Sequence, residues 1–179
     1  SFAENTVGSL TLFSSAKEVS NCASNSMSEL CSAFARGALR GARGNSGVIS
    51  SQIIKGMSDV FATCEEIGVK EFASALVKGT EIAYKAVTKP KEGTMLTVIR
   101  AMSEYAHENS KKRIDIDVFL KNVLDAGEEM LRKTPDMLPV LKKAGVVDAG
   151  GRGLLIIFEG WLAVLKGEED VTLAFDDTV

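Results

Sequence analysis

Histidine is almost missing from this 179-residue sequence, which has one, His107. A Ser-His-Asp constellation or a multi-histidine metal site would have to be built around that single ring. It stands in a polar helix end, Ala106-His107-Glu108-Asn109-Ser110, and is expected to be solvated. Cysteine is scarce as well: Cys22, Cys31 and Cys64 are odd in number and lack metal-ligand spacing. They read as reduced thiols of a cytoplasmic protein, at small buried or neutral positions with no cationic cluster to activate them. No apolar run approaches the roughly 20 residues needed to span a bilayer, and residues 154–158 are far too short to do so. The N-terminus carries no signal-peptide pattern. Excess positive charge is missing too, with 21 Lys and Arg against 24 Asp and Glu and a net charge of −3. Aromatics are 6%, and Arg43-Gly44 and Arg152-Gly153 are isolated. Together these exclude a general attraction to nucleic acid or acidic lipid.

What is present is an ordinary globular composition, 45% hydrophobic and 25% charged, long enough for one domain with a substantial core. Apolar residues recur at helical spacing nearly throughout, and no segment reads convincingly as a strand. Residues 9–19 give a weak helix after Gly8, with Leu10, Phe13 and Ala16 inward. Residues 26–39 give a clearer one, capped by Ser26 with Glu29 three positions on and Met27, Leu30, Phe34 and Ala38 on one face. Arg36, Arg40 and Arg43 form a solvated stripe at its end.

Further helices are predicted over residues 45–63 (Val48, Ile49, Ile53, Met57, Val60 and Phe61 apolar) and 71–88 (Phe72, Leu76, Ile82, Ala83 and Val87). Lys89-Pro90 stops the second of these. Thr94 caps a helix reaching Asn109, with Met95, Val98, Ile99, Met102 and Tyr105 inward. An exposed basic run, residues 111–113, separates it from an amphipathic helix over residues 115–133 carrying Val118, Phe119, Val123, Leu124 and Leu131. Thr134-Pro135 then starts a short helix ending at Lys143. The last helix, residues 153–166, is apolar enough (Leu154, Leu155, Ile157, Phe158, Trp161, Leu162, Leu165) to sit centrally. Trp161, Met27, Met57, Met102 and Met130 read as packing residues. The expectation is an all-α, single-domain antiparallel barrel or bundle of about eight helices. Residues 1–7 are a remnant of an upstream segment, residues 8–167 the helical domain, and residues 168–179 an acidic linker or tail.

Three glycine-marked turns interrupt this pattern. The first is Gly41-Ala42-Arg43-Gly44-Asn45-Ser46-Gly47, where Asn45 and Ser46 offer N-cap side chains. The second is Lys91-Glu92-Gly93-Thr94-Met95-Leu96. The third is Gly145-Val146-Val147-Asp148-Ala149-Gly150-Gly151-Arg152-Gly153. Glycines let backbone approach a ligand closely, and a first helical turn presents outward N–H groups with partial positive charge, which suits phosphate. Each turn alone fits an ordinary capped corner equally well. Alternating antiparallel helices would bring the three to one end of the bundle, as a nucleotide site requires.

In this order and spacing, the three segments closely resemble the N-terminal domain of the bacterial fatty acid kinase catalytic subunit. They resemble more distantly the nucleotide-binding L subunit of dihydroxyacetone kinase. The similarity covers residues 8–167. It implies an eight-helix barrel binding Mg-ATP at one end, with Gly44, Asn45, Ser46 and Gly47 on phosphate, and Thr94, Met95 and Leu96 bordering the nucleoside. Asp148 and Gly150 would close the pocket near the base or ribose; from its residues alone, Asp148 fits a self-bonded turn equally well. The first two roles agree with the chemistry: backbone N–H groups at Ser46 and Gly47 suit an anion, and Thr94 Oγ1 with the Met95 side chain suits a ribose and a flat apolar ring.

The resemblance further implies phosphorylation of a fatty acid carboxylate presented by a separate lipid-carrier protein, and a homodimer through downstream domains. The alternatives are an ADP-binding L-type subunit of a dihydroxyacetone kinase, or a non-catalytic helical scaffold. No catalytic residue is assigned. The family carries its magnesium on an Asp-Gly-Asp-Thr-Gly segment just before residues 9–19, whereas residues 1–7 here hold only Glu4 as an acid. The metal loop is either lost or lies outside this sequence, and the chain alone is not expected to be a competent kinase.

Overall fold

The computed structural model describes Arg36 and residues 44–166, with the side chain of Val164 excepted, and the expected helices over residues 9–19 and 26–39 lie outside that range. The described part is all-helical: α1 (Gly44–Phe61), α2 (Val69–Lys85), α3 (Met95–Glu108), α4 (Ile116–Met137), α5 (Pro139–Ala144) and α6 (Ala149–Leu165).

Short links make sequential helices antiparallel neighbours, and side-chain pairs give the register. Phe61 meets Phe72 and Gly56 meets Gly79 across α1 and α2. Tyr105 meets Phe119 across α3 and α4, and Leu131 meets Gly151 across α4 and α6. A Cβ on Gly151 would stand 3.0 Å from Val98 Cγ2, and one on Gly150 3.3 Å from the Met95 sulfur. α3 and α6 therefore run parallel, with their N-termini side by side.

The core between them is built from Ile53, Met57, Leu76, Ile99, Met102, Phe119, Leu155 and Phe158, among others, all essentially inaccessible to solvent. Burying each such side chain contributes about 1.5–3 kcal/mol. An aromatic chain, Phe61–Phe72–Phe119–Tyr105, crosses four helices with ring centroids 6.2, 6.3 and 6.5 Å apart. It lies at the end of the bundle opposite the N-termini of α1, α3 and α6. Trp161 packs edge-on to Phe158 at 4.9 Å, as a packing residue should. Met57 and Met102 are buried and Met130 half-buried, while His107 and residues 111–113 are exposed.

The α4–α5 boundary differs from expectation. Pro135 does not start a helix; it lies inside the last turn of α4, which continues to Met137. A proline there has no N–H for the carbonyl four residues back. The Thr134 hydroxyl takes that role, donating to the Leu131 carbonyl at 2.7 Å. The break comes at Leu138, whose extended backbone precedes Pro139 as a residue before proline should. α5 then closes on Gly145, in the left-handed region at φ 67°, with Val146 N–H donating to the Leu141 carbonyl at 3.1 Å. α6 starts four residues earlier than its apolar pattern, because Ala149, Gly150 and Gly151 form its first turn without contributing to that pattern.

Three expected core positions are also corrected. Val48, Val118 and Leu165 are 45%, 47% and 48% exposed. The buried face of α1 is instead Gly47, Ser50, Ser51, Ile53, Ile54, Gly56, Met57 and Ser58. Close approach to α2 selects small side chains on that face, so size rather than hydropathy places it, and Val48 turns outward.

Candidate functional site

α1, α3 and α6 begin at the same end of the bundle, and their first turns meet at Gly150. A Cβ there would lie 2.9 Å from Ser46 Oγ, 3.3 Å from Asp148 Oδ2 and 3.3 Å from the Met95 sulfur. Four of the residues singled out from the sequence, one or more from each glycine-marked turn, are thus brought together: Ser46, Met95, Asp148 and Gly150. Each helix start leaves N–H groups that the helix cannot satisfy and carries a partial positive charge of about half an elementary unit. Three such ends begin close together around Gly150.

Asp148 is set into that spot. Its Oδ2 accepts the Gly151 N–H at 2.9 Å, and its carbonyl accepts the Arg152 N–H at 3.0 Å, so it caps α6. The same carboxylate accepts the N–H of Met95, the first residue of α3. One side chain therefore caps α6 and touches the start of α3. The self-bonded turn reading holds for its contact with Gly151, and the bond to Met95 adds a tie that spans 53 positions of sequence (148 − 95 = 53).

Burial pushes the Asp148 carboxyl above its ordinary range, and the N–H groups of Gly151 and Met95 pull back only in part. A raised folded-state pKa contributes stability that is fully present below the unfolded-state value, near 3.9, and is lost as pH rises through the folded-state value. Asp148→Asn removes this dependence. The stability of the native protein relative to that variant is therefore expected to fall as pH rises from about 4 and to level off once the folded-state value is passed. Urea midpoints across that range measure it, and a difference that grows with pH would contradict the assignment.

The remaining expected residues take distinct places. Gly44 and Asn45 are exposed, Gly47 is buried, and all three lie in the first turn of α1, since the helix begins at Gly44. Asn45 and Ser46 lie inside α1 as its range is drawn, and Gly44 at its start has φ 64°, in the left-handed region. Leu96 is buried, and its carbonyl accepts the Tyr84 hydroxyl at 3.2 Å. Thr94 is the N-cap residue of α3 through its carbonyl, which accepts Thr97 N–H at 2.9 Å. Its hydroxyl makes no capping bond, donating instead to the Lys91 carbonyl at 2.8 Å.

Two supports were invisible in the sequence. Glu92 accepts both ends of the Arg100 guanidinium at 2.7 Å and the Thr97 hydroxyl at 2.9 Å, and Thr97 Oγ1 in turn accepts Gly93 N–H at 2.9 Å. The Arg100 fork, more than the other contacts, holds the Glu92 carboxyl below its usual range. The second support is Thr134, fully buried, whose hydroxyl accepts Asp148 N–H at 3.1 Å. Neither pairing follows a helical period, so no spacing could have revealed it.

Among the described residues no group of three His, Cys, Asp or Glu side chains is placed to hold a metal ion. Likewise among the described residues, no helix is long and apolar enough to cross a membrane.

Comparison with known proteins identifies the family. The DAK2 domain model matches residues 8–163. Protein YloV of Bacillus subtilis is 47% identical over 159 residues. Uncharacterized proteins of Staphylococcus saprophyticus and Staphylococcus epidermidis are each 45% identical, over 159 and 160 residues. In each case the match covers 89% of this chain and 29% of the relative, so the chain spans less than a third of the proteins it resembles. With its all-helical fold and a match over most of its length, the chain belongs to the DAK2 domain family, whose L-type members are associated with kinases.

Proposed function

We propose that this domain binds ATP and ADP at the junction of α1, α3 and α6 and serves as the nucleotide-binding part of a phosphotransferase. The observation that carries the reading is the cradle at Gly150. There Gly150, itself buried, lets Ser46, Met95 and Asp148 come within 2.9–3.3 Å of where a side chain would begin, and the first turns of three helices meet. Gly44, Asn45, Ser46 and Gly47 would take phosphate through the first-turn N–H groups of α1. Thr94, Met95 and Leu96 would border the nucleoside, with the Met95 thioether against the base. Asp148 and Gly150 would close the pocket.

The finer reading is a fatty acid kinase domain in a cytoplasmic enzyme. A fatty acid carboxylate, presented by a separate lipid-carrier protein, would attack the terminal phosphoryl group of ATP, giving an acyl phosphate and ADP. The motif Val146-Val147-Asp148-Ala149-Gly150-Gly151 favours this over dihydroxyacetone as acceptor. Magnesium would come with the nucleotide and with oxygen ligands outside residues 44–166. A homodimer through the regions beyond this domain belongs to the same proposal.

Calorimetric titration of Mg-ADP into the full-length protein tests the nucleotide site, with saturable heat and a raised melting temperature expected. No heat and no thermal shift at millimolar nucleotide would leave the scaffold reading in its place. Phosphate release onto carrier-bound fatty acid, measured against dihydroxyacetone with a partner subunit, separates the two acceptors.

A further inference from the structure

Thr134 belongs to no glycine-marked turn, yet it touches two of them. Its buried hydroxyl accepts the Asp148 N–H at 3.1 Å and donates to the Leu131 carbonyl at 2.7 Å. Its own carbonyl accepts the Leu138 N–H at 3.1 Å and stands 3.1 Å from where a Cβ on Gly93 would be. The next residues of the same corner complete the contact with Gly93, through Leu138 Cγ at 2.9 Å and Met137 Cβ at 3.0 Å from that position. Gly93 has φ 85°, so both its backbone and its lack of a side chain suit this fit.

These contacts close a ring. The α4 corner holds the backbone of Asp148; the Asp148 carboxylate holds the N–H of Met95; Met95 follows the Gly93 turn; and Gly93 rests on the α4 corner. The arrangement depends on Pro135. An ordinary residue there would donate its N–H to Leu131, and the threonine hydroxyl would not be drawn to that carbonyl. With its proton committed to Leu131, the Thr134 oxygen presents lone pairs to Asp148.

We infer that Thr134 is a positioning residue for the nucleotide site: its hydroxyl fixes where Asp148 stands, and through Asp148 where α3 begins relative to α6. This rests on the nucleotide reading above. It makes the C-terminal corner of α4 part of the binding apparatus although none of its side chains belongs to the three turns.

The test uses the full-length protein with Thr134→Val, Thr134→Ser and a control, Thr80→Val. Thr80 is also a buried hydroxyl bonded to a helix carbonyl, that of Leu76 at 2.8 Å, but its bond stays within α2. Thr134→Val is expected to weaken Mg-ADP binding about tenfold, the factor that accompanies one lost hydrogen bond to a buried donor. It should also speed amide exchange at Asp148, Gly151 and Met95. Thr134→Ser should restore both, and Thr80→Val should lower the melting temperature while leaving affinity and those amides as in the native protein.

If Thr134→Val does not fold, Thr134→Ala, which leaves room for a water on the Asp148 N–H, is read in its place. Native-like ADP affinity in the folded variant, or equal loss in the Thr80 control, overturns the inference. Absence of ADP binding by the native protein removes the nucleotide reading. Faster exchange at Met95 and Gly151 in Thr134→Val would then still show the corner acting on the two helix starts.

Discussion

A single methyl group at Gly56 is expected to destabilise the domain by about 2 kcal/mol. The added Cβ of Gly56→Ala would lie 2.7 Å from Gly79 Cα, 2.9 Å from Gly79 nitrogen and 3.0 Å from the Lys78 carbonyl oxygen. All three are backbone atoms of α2, so no side chain can rotate aside. The reciprocal approach is as tight, with a Cβ on Gly79 falling 2.8 Å from the Ile53 carbonyl oxygen. Overpacking of this kind costs about 3 kcal/mol, and the better helix propensity of alanine returns about 1 kcal/mol. For a domain of this size the melting temperature should drop by roughly 4–8 °C. Gly68→Ala is the comparison: its Cβ would meet only the tip of the Glu71 side chain at 3.0 Å, which can swing away. Equal melting temperatures for Gly56→Ala and the native protein would mean that α1 and α2 do not cross as closely as described.

The second large effect is expected on binding rather than on stability. Gly150→Val places a Cβ 2.9 Å from Ser46 Oγ and two further methyl groups in the space between the starts of α1, α3 and α6. Its neighbours there are side-chain atoms, Ser46 Oγ, Asp148 Oδ2 and the Met95 sulfur, which can move outward where Gly79 backbone cannot. The protein should therefore stay folded while Mg-ADP affinity falls at least a hundredfold, about 2.7 kcal/mol. Calorimetry with a parallel thermal melt reads both quantities. A folded Gly150→Val that binds ADP like the native protein would end the proposal that this junction is the nucleotide site.

The convergence of Ser46, Met95, Asp148 and Gly150 could be read from the sequence because it needs only two things. Helices separated by short links alternate in direction, and the glycine-marked turns fall before every second long helix. The choice of α-helix throughout was equally plain, since apolar residues repeat at helical spacing from Ile49 to Leu162. What escaped depends on contacts between segments far apart in the chain. Pro135 looked like a start because proline suits a first turn. Only the Thr134 hydroxyl, by taking the orphaned Leu131 carbonyl, allows α4 to pass through it. Thr94 looked like a side-chain cap because threonine is a good one, but its hydroxyl turns back to the Lys91 carbonyl. Val48 turned outward while Ser50 and Ser51 are buried, because the buried face of α1 selects for size as well as hydropathy.

The distribution of bulk along the bundle has a consequence of its own. Four rings, Phe61, Phe72, Phe119 and Tyr105, fill one pole, while glycine and serine thin out the other. Large rings and small residues are thus kept at separate ends of the same small body. Drift among the rings would be felt as altered robustness, drift among the glycines as altered recognition, and a lineage can adjust either without renegotiating the other.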